Sequence, residues 1–289
     1  MIGAFIFILC TMLTRPIINW LTRLRPPSRF PLSDYARLRE EVRPCDVILV
    51  AGRSRVSDVI RIVTQNAWTH AALYIGSPGD LDNPVLTRRL QRLPGYRPNE
   101  HLIVESQLGR GTIVMPLDEY RHDHLRLCRP RGLTGEDAQL LLEHALSRVG
   151  SEYDIRQIFD LMRFLLPWGL LPRRWRSSLF RENAGAQTKT VCSTMIAEAF
   201  AQVQFPILPL VHQGEAQELR LYRRNPRLCT PSDFDFSPYF EIIKYPFFDL
   251  SEHAHYRLLP WFSTASHGFS NVPPAPDSGA ADTDSETRN

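Results

Sequence analysis

Several signatures are missing from this sequence, and each absence closes off a chemistry. There is no glycine-rich phosphate loop, no Cys-x-x-Cys pair and no Cys/His spacing of a zinc site, so nothing points to a nucleotide, an organic cofactor or a metal. The five cysteines, Cys10, Cys45, Cys128, Cys192 and Cys229, are odd in number and widely spaced. No disulfide framework is therefore expected, and at least one thiol stays free under any pairing. A net charge of +3 over 289 residues is too small to argue for nucleic acid,. The basic residues do cluster, at Arg121 to Arg131 and Arg220 to Arg227; these read as solvated faces, with anionic lipid contact as the alternative. What is present is an ordinary globular composition, 43% hydrophobic and 22% charged, with 23 prolines gathered in connecting segments,.

The apolar run Ile2 to Leu13 is shorter than the roughly 20 residues of a membrane span,. It also lacks a preceding positive charge and a small-x-small cleavage site, which makes it a poor signal peptide,. Residues 1–30 are read as an uncleaved, membrane-associating segment, with a cleaved or lipoprotein leader using Cys10 as the alternative. The arginines after the run, Arg15, Arg23 and Arg25, would keep the body of a spanning form on the cytoplasmic side of an inner membrane,. Residues 264–289 are rich in Ser, Pro, Gly, Ala and Asp and poor in large apolar residues, so they are expected to form a disordered tail. This leaves residues 31–263 as one catalytic domain.

Within that domain the pattern is mixed. Strands are expected at Asp46 to Gly52, Ala71 to Gly76, His101 to Ser106, Gly111 to Met115, Leu125 to Cys128 and Phe240 to Tyr245,. Helical spacing marks Val56 to Val63, Thr134 to about Val149, Asp154 to Leu166 and Val191 to Gln202,. Thr230 to Phe234 reads as a turn. Four short strands in succession with helices after them give an α+β class built on a curled antiparallel sheet.

Three residues carry the candidate chemistry. Cys192 follows the polar stretch Thr188-Lys189-Thr190-Val191 and opens a helix, a position where amides and the helix dipole favour a thiolate. The alternative is a buried, inert thiol. His70 begins the apolar run Ala71-Ala72-Leu73-Tyr74-Ile75, so its imidazole would be held rigidly at a sheet edge, as a general base requires. Glu105 ends the apolar run Leu102-Ile103-Val104; a carboxylate buried there needs an imidazolium or an arginine beside it. Tyr153, just after Gly150, is a candidate hydroxyl for an oxyanion, or plain packing.

Taken in order, six segments resemble the permuted papain-like amidases of the YiiX and YaeF type, circularly permuted relatives of NlpC-type cysteine hydrolases. They are Cys45-Asp46-Val47-Ile48-Leu49, Trp68 to Gly76, Ile103-Val104-Glu105-Ser106 before Gly111, Gly150-Ser151-Glu152-Tyr153-Asp154, Val191-Cys192-Ser193 and Thr230-Pro231-Ser232-Asp233. The resemblance implies a permuted papain-like fold, with Cys192 as nucleophile, His70 as base and Glu105 as the residue that orients it. It also implies attack on an amide or ester carbonyl through an acyl-enzyme. The sequence departs from the family at two places. Cys45 stands where a glycine is usual, and Phe164 to Arg176, with two Trp and three Arg, is an insertion suited to a membrane interface or to a packed loop,. The first expectation for substrate is a peptide or peptidoglycan-type amide. The alternatives are a lipid acyl hydrolase or acyltransferase of lecithin:retinol acyltransferase-like type and a non-catalytic membrane-tethered binding module.

Overall fold

Short apolar runs, continuously buried in the inner strands, build a six-stranded antiparallel sheet in the computed structural model, which describes residues 18–27, 32–77, 84–92, 99–151, 191–213 and 218–246. The run Ile2 to Leu13, the Asp154 to Leu166 helix, Tyr153, the Phe164 to Arg176 insertion and the 264–289 tail lie outside these residues. Among the described residues no helix is long and apolar enough to cross a membrane.

In chain order the elements are α1 (Tyr35–Glu41), β1 (Val47–Ala51), α2 (Arg55–Thr64), β2 (His70–Gly76), α3 (Pro84–Gln91), β3 (Leu102–Gln107) and β4 (Gly111–Pro116). A 3-10 turn (Leu117–Tyr120) leads to β5 (His124–Pro130), then α4 (Gly135–Ser147), α5 (Val191–Gln202), β6 (Leu210–Gln213) and β7 (Leu219–Tyr222). A second 3-10 turn (Pro226–Leu228), α6 (Pro231–Phe236) and β8 (Phe240–Ile243) follow. The main sheet runs β4-β3-β2-β1-β5-β8, and β6 and β7 form a separate two-stranded ribbon. The class is α+β with an open antiparallel sheet, as expected. β2 proves to be an interior strand, hydrogen-bonded to β1 and β3, so His70 sits at the start of a central strand and not on a sheet edge.

Strand alternation divides the core between the two faces of the sheet. On one face Val47, Leu49, Ala71, Leu73, Ile75 and Val104 pack with Leu141 and Leu142 of α4, Ile196 and Phe200 of α5, and Phe234 of α6. On the other, Ile48, Val50, Ala72, Tyr74, Ile103 and Leu127 pack under Leu38 of α1 and Leu117. The start of β1 is pinned by Asp46, almost fully buried, which accepts from Arg129 Nε at 3.0 Å, from its Nη2 at 2.8 Å and from the Arg43 amide at 2.8 Å. Cys45 adopts φ 72, a left-handed conformation that explains why a glycine is favoured there. The turn survives the substitution, with the thiol buried and directed at the Ala138 carbonyl.

Candidate active site

Backbone geometry fixes the approach to His70. The Thr69 hydroxyl accepts from the Gly52 amide at 3.0 Å, and the Thr69 amide donates to Val50 O at 3.1 Å. A Cβ at Gly52 would collide with Ser57 Oγ and press on Thr69 Oγ1, so this crossing needs glycine. One residue earlier, the Trp68 indole donates to Asp235 Oδ2 at 3.2 Å, and Arg126 lies over the Trp68 ring at 4.6 Å while pairing with Asp235 at 2.7 Å. His70 thus enters β2 from an anchored dipeptide.

The register of β2 against β3 pairs Leu73 with Val104. Antiparallel pairing and alternation then put His70 and Glu105 on the same face, one diagonal step apart. Their side chains meet: His70 Nε2 lies 2.7 Å from Glu105 Oε2. Glu105 is fully buried, whereas the His70 side chain retains 18% exposure. Burial alone would cost the carboxylate dearly, and two further donors offset it. Tyr120 Oη donates to Glu105 Oε2 at 2.7 Å, and Gln107 Nε2 donates to Oε1 at 2.5 Å. Desolvation raises the Glu105 pKa, but the His70 charge and the hydrogen bonds from His70, Tyr120 and Gln107 hold it below the usual carboxylate value,.

α5 packs against β2 and β3, and its first turn brings Cys192, 4% exposed, to His70. The two side chains interact by charge and by hydrogen bonding. Since Nε2 faces Glu105, Nδ1 is the ring nitrogen left for the sulfur. Burial lowers the His70 pKa, but the charges of Glu105 and Cys192 and the hydrogen bonds to both outweigh it, and the imidazole is held well above its ordinary value,. The Cys192 turn is tied down by Ser193, whose hydroxyl donates to Cys229 O at 2.6 Å. A thiol, an imidazole and a buried carboxylate in line are the groups that nucleophilic acyl transfer requires.

The structure therefore brings together Cys192, His70 and Glu105, while Tyr153 falls outside the described residues. Tyr120 and Gln107 escaped the sequence reading. Gln107 had a signal, because it lies two residues after Glu105 in one strand and so shares its face. Tyr120 had none, since it reaches Glu105 from a 3-10 turn beyond the next strand. Among the described residues no cluster of three or more His, Cys, Asp or Glu side chains is arranged to hold a metal ion.

Comparison with known proteins follows the same lines. Residues 41–161 match the sequence model described as "Permuted papain-like amidase enzyme, YaeF/YiiX, C92 family". The matched stretch contains His70 and Glu105 and ends before Cys192. No curated protein matches the chain. A solved structure, described as metalloprotein yiiX from Escherichia coli O157:H7, aligns with a TM-score of 0.41 and 13% identity, covering 70% of this chain and 97% of that one. Over residues 41–161 this chain is therefore similar to the permuted papain-like amidases of the YaeF/YiiX type, and the open antiparallel sheet with helices packed on it agrees with such a fold.

Proposed function

We propose that this protein cleaves an amide bond of a peptide or peptidoglycan-type substrate through an acyl-enzyme on Cys192. The observation that carries the reading is the position of His70, bonded on one side to a fully buried, ionised Glu105 and interacting on the other with Cys192. In this reading the Cys192 sulfur attacks the carbonyl carbon, and a tetrahedral oxyanion forms beside the amides of the α5 first turn. His70, as imidazolium, gives its proton to the leaving amine as the C–N bond breaks. The neutral imidazole then takes a proton from water, which attacks the thioester and returns the thiol. Glu105 keeps the ring oriented and stabilises its charged form throughout.

Mass spectrometry of wild type and Cys192→Ser after incubation with peptidoglycan fragments tests this. The expected result is product from wild type alone, with an acyl adduct on residue 192. Turnover that survives in Cys192→Ser would remove the nucleophile, and an adduct found only with membrane lipids would move the scissile bond to an acyl ester.

Membrane association through the N-terminus belongs to the same proposal. Leu21 is buried, Leu24 bridges to Ser54, and Trp20 lies under Arg55 at 4.7 Å, so residues from about 18 onward belong to the body. Deleting only Ile2 to Leu13 is therefore the clean variant. It is expected to weaken recovery with the membrane fraction and leave hydrolysis of a soluble ester intact; unchanged membrane recovery would reject the anchor.

A further inference from the structure

The β6–β7 ribbon stands apart from the main sheet and carries an apolar surface that the described residues leave uncovered. Leu210, Val211, Leu219, Leu221 and Tyr222 are each between 50% and 71% exposed. An isolated two-stranded ribbon is marginal in water, and five large apolar side chains on one such ribbon exceed the scatter of single exposed apolar residues on an ordinary surface.

Register sorts these residues by face. Val211 pairs with Leu221 and Gln213 with Leu219, which puts Val211, Leu219 and Leu221 on one face; Leu210 pairs with Tyr222, which puts these two with Arg220 on the other,. Val211, Leu219 and Leu221 thus share one face at register positions with Gln213, and the other face carries Leu210 beside the Tyr222 hydroxyl and the Arg220 guanidinium. The ribbon does not pack flush on the body: a cavity of about 250 Å³ lies beside it, walled by Leu221 and Tyr222 and by Ala197, Ala201 and Phe205.

The charges around it have one predominant sign. Arg220 pairs with Glu218 and Arg224 with Asp233 at 3.2 Å, but Arg223 donates to the neutral Gln204 at 2.8 Å, and Arg227 has no ion pair among the described residues. Between residues 210 and 227 four arginines face two glutamates.

We infer that the β6–β7 ribbon docks on an anionic lipid bilayer, with Val211, Leu219 and Leu221 entering the interface and Arg223 and Arg227 meeting headgroup phosphates. An apolar face bordered by arginine, with tyrosine at the boundary, is the composition that a bilayer interface stabilises. The charge complementarity favours an anionic membrane over a second copy of this basic surface, which would place arginine against arginine. The inference is independent of the reading of the active site.

The test labels the ribbon itself, so that the N-terminus cannot answer for it. In the full chain with Cys10→Ser and Cys192→Ser, leaving the buried Cys45, Cys128 and Cys229, Leu219→Cys is coupled to an environment-sensitive fluorophore and mixed with vesicles. Phosphatidylcholine vesicles with added phosphatidylglycerol are expected to shift the emission to the blue, and pure phosphatidylcholine to do so several-fold less. Arg223→Glu is expected to weaken the response roughly tenfold, and raised salt to act in the same direction. Protein that sediments with anionic vesicles while the emission stays that of water overturns the inference. So does emission already blue-shifted without lipid, the result expected if another part of the chain or a second copy covers the ribbon; light scattering separates these two. Retained circular dichroism in each variant excludes misfolding as the cause.

Discussion

A carboxylate with no exposure holds its charge only if every cost of burial is met by a donor, and at Glu105 three side chains do this. Tyr120 shares Oε2 with His70, and its ring lies 6.0 Å from the imidazole. Removing its hydroxyl in Tyr120→Phe leaves shape intact but takes one of three donors from the carboxylate, so the Glu105 pKa rises towards its ordinary value,. The acid limb of kcat/KM, set by protonation of Glu105, is then expected to move to higher pH, and kcat/KM to fall by roughly tenfold. A pH profile that keeps its acid limb in place would show that Tyr120 only packs. At this scale the sequence was readable where chemistry and pattern disagree: a histidine and a glutamate interrupting apolar strands are visible as such. Tyr120 interrupts nothing, and its role exists only once the chain has folded back through β4.

At the scale of elements, α6 links regions that the sequence keeps far apart. Its Asp235 accepts from Trp68 and from Arg126, and its Phe234 packs in the aromatic cluster with Phe200 and Phe240. Its start is held by Asp233, whose Oδ2 accepts from the Thr230 amide at 2.7 Å,. Asp235→Ala leaves a partly buried guanidinium without its partner and frees Trp68, two residues before His70. A loss of about 2 kcal/mol is expected, seen as a thermal midpoint lower by about 5 °C. An unchanged midpoint would mean that Trp68 is held by the core alone. β1, β2 and β3 were legible because their apolar runs are buried on both faces. The elements that went unread are those with little apolar content or an irregular one. In α1 only Leu38 is buried; α3, Pro-Val-Leu-Thr-Arg-Arg-Leu-Gln, has no acidic residue in its first turn. β7 has no buried face from which to read a period. Thr230 to Phe234 looked like a turn because six helical residues behind a proline are too few to show one.

For the whole molecule, the His70–Glu105 pair sits where two cores meet: its strands carry one apolar cluster on each face, and α5 closes the end with Cys192. Its contribution to stability therefore has a pH window set by both partners. Glu105 titrates below its ordinary 4.5 in the fold, so its share is complete above 4.5 and is lost as pH falls through the lowered value. His70 titrates well above its ordinary 6.5, so its share is complete below 6.5 and is lost as pH rises through the raised value. Both shares are complete between about pH 4.5 and 6.5. Glu105→Gln, which leaves His70 without a counter-charge, is expected to cost most in that window, about 3 kcal/mol, and progressively less on either side. Thermal midpoints of wild type and Glu105→Gln measured across the pH range check this. A difference that stays constant with pH would mean that Glu105 stabilises the fold by packing and neutral hydrogen bonds, and that the imidazolium reading of His70 fails with it.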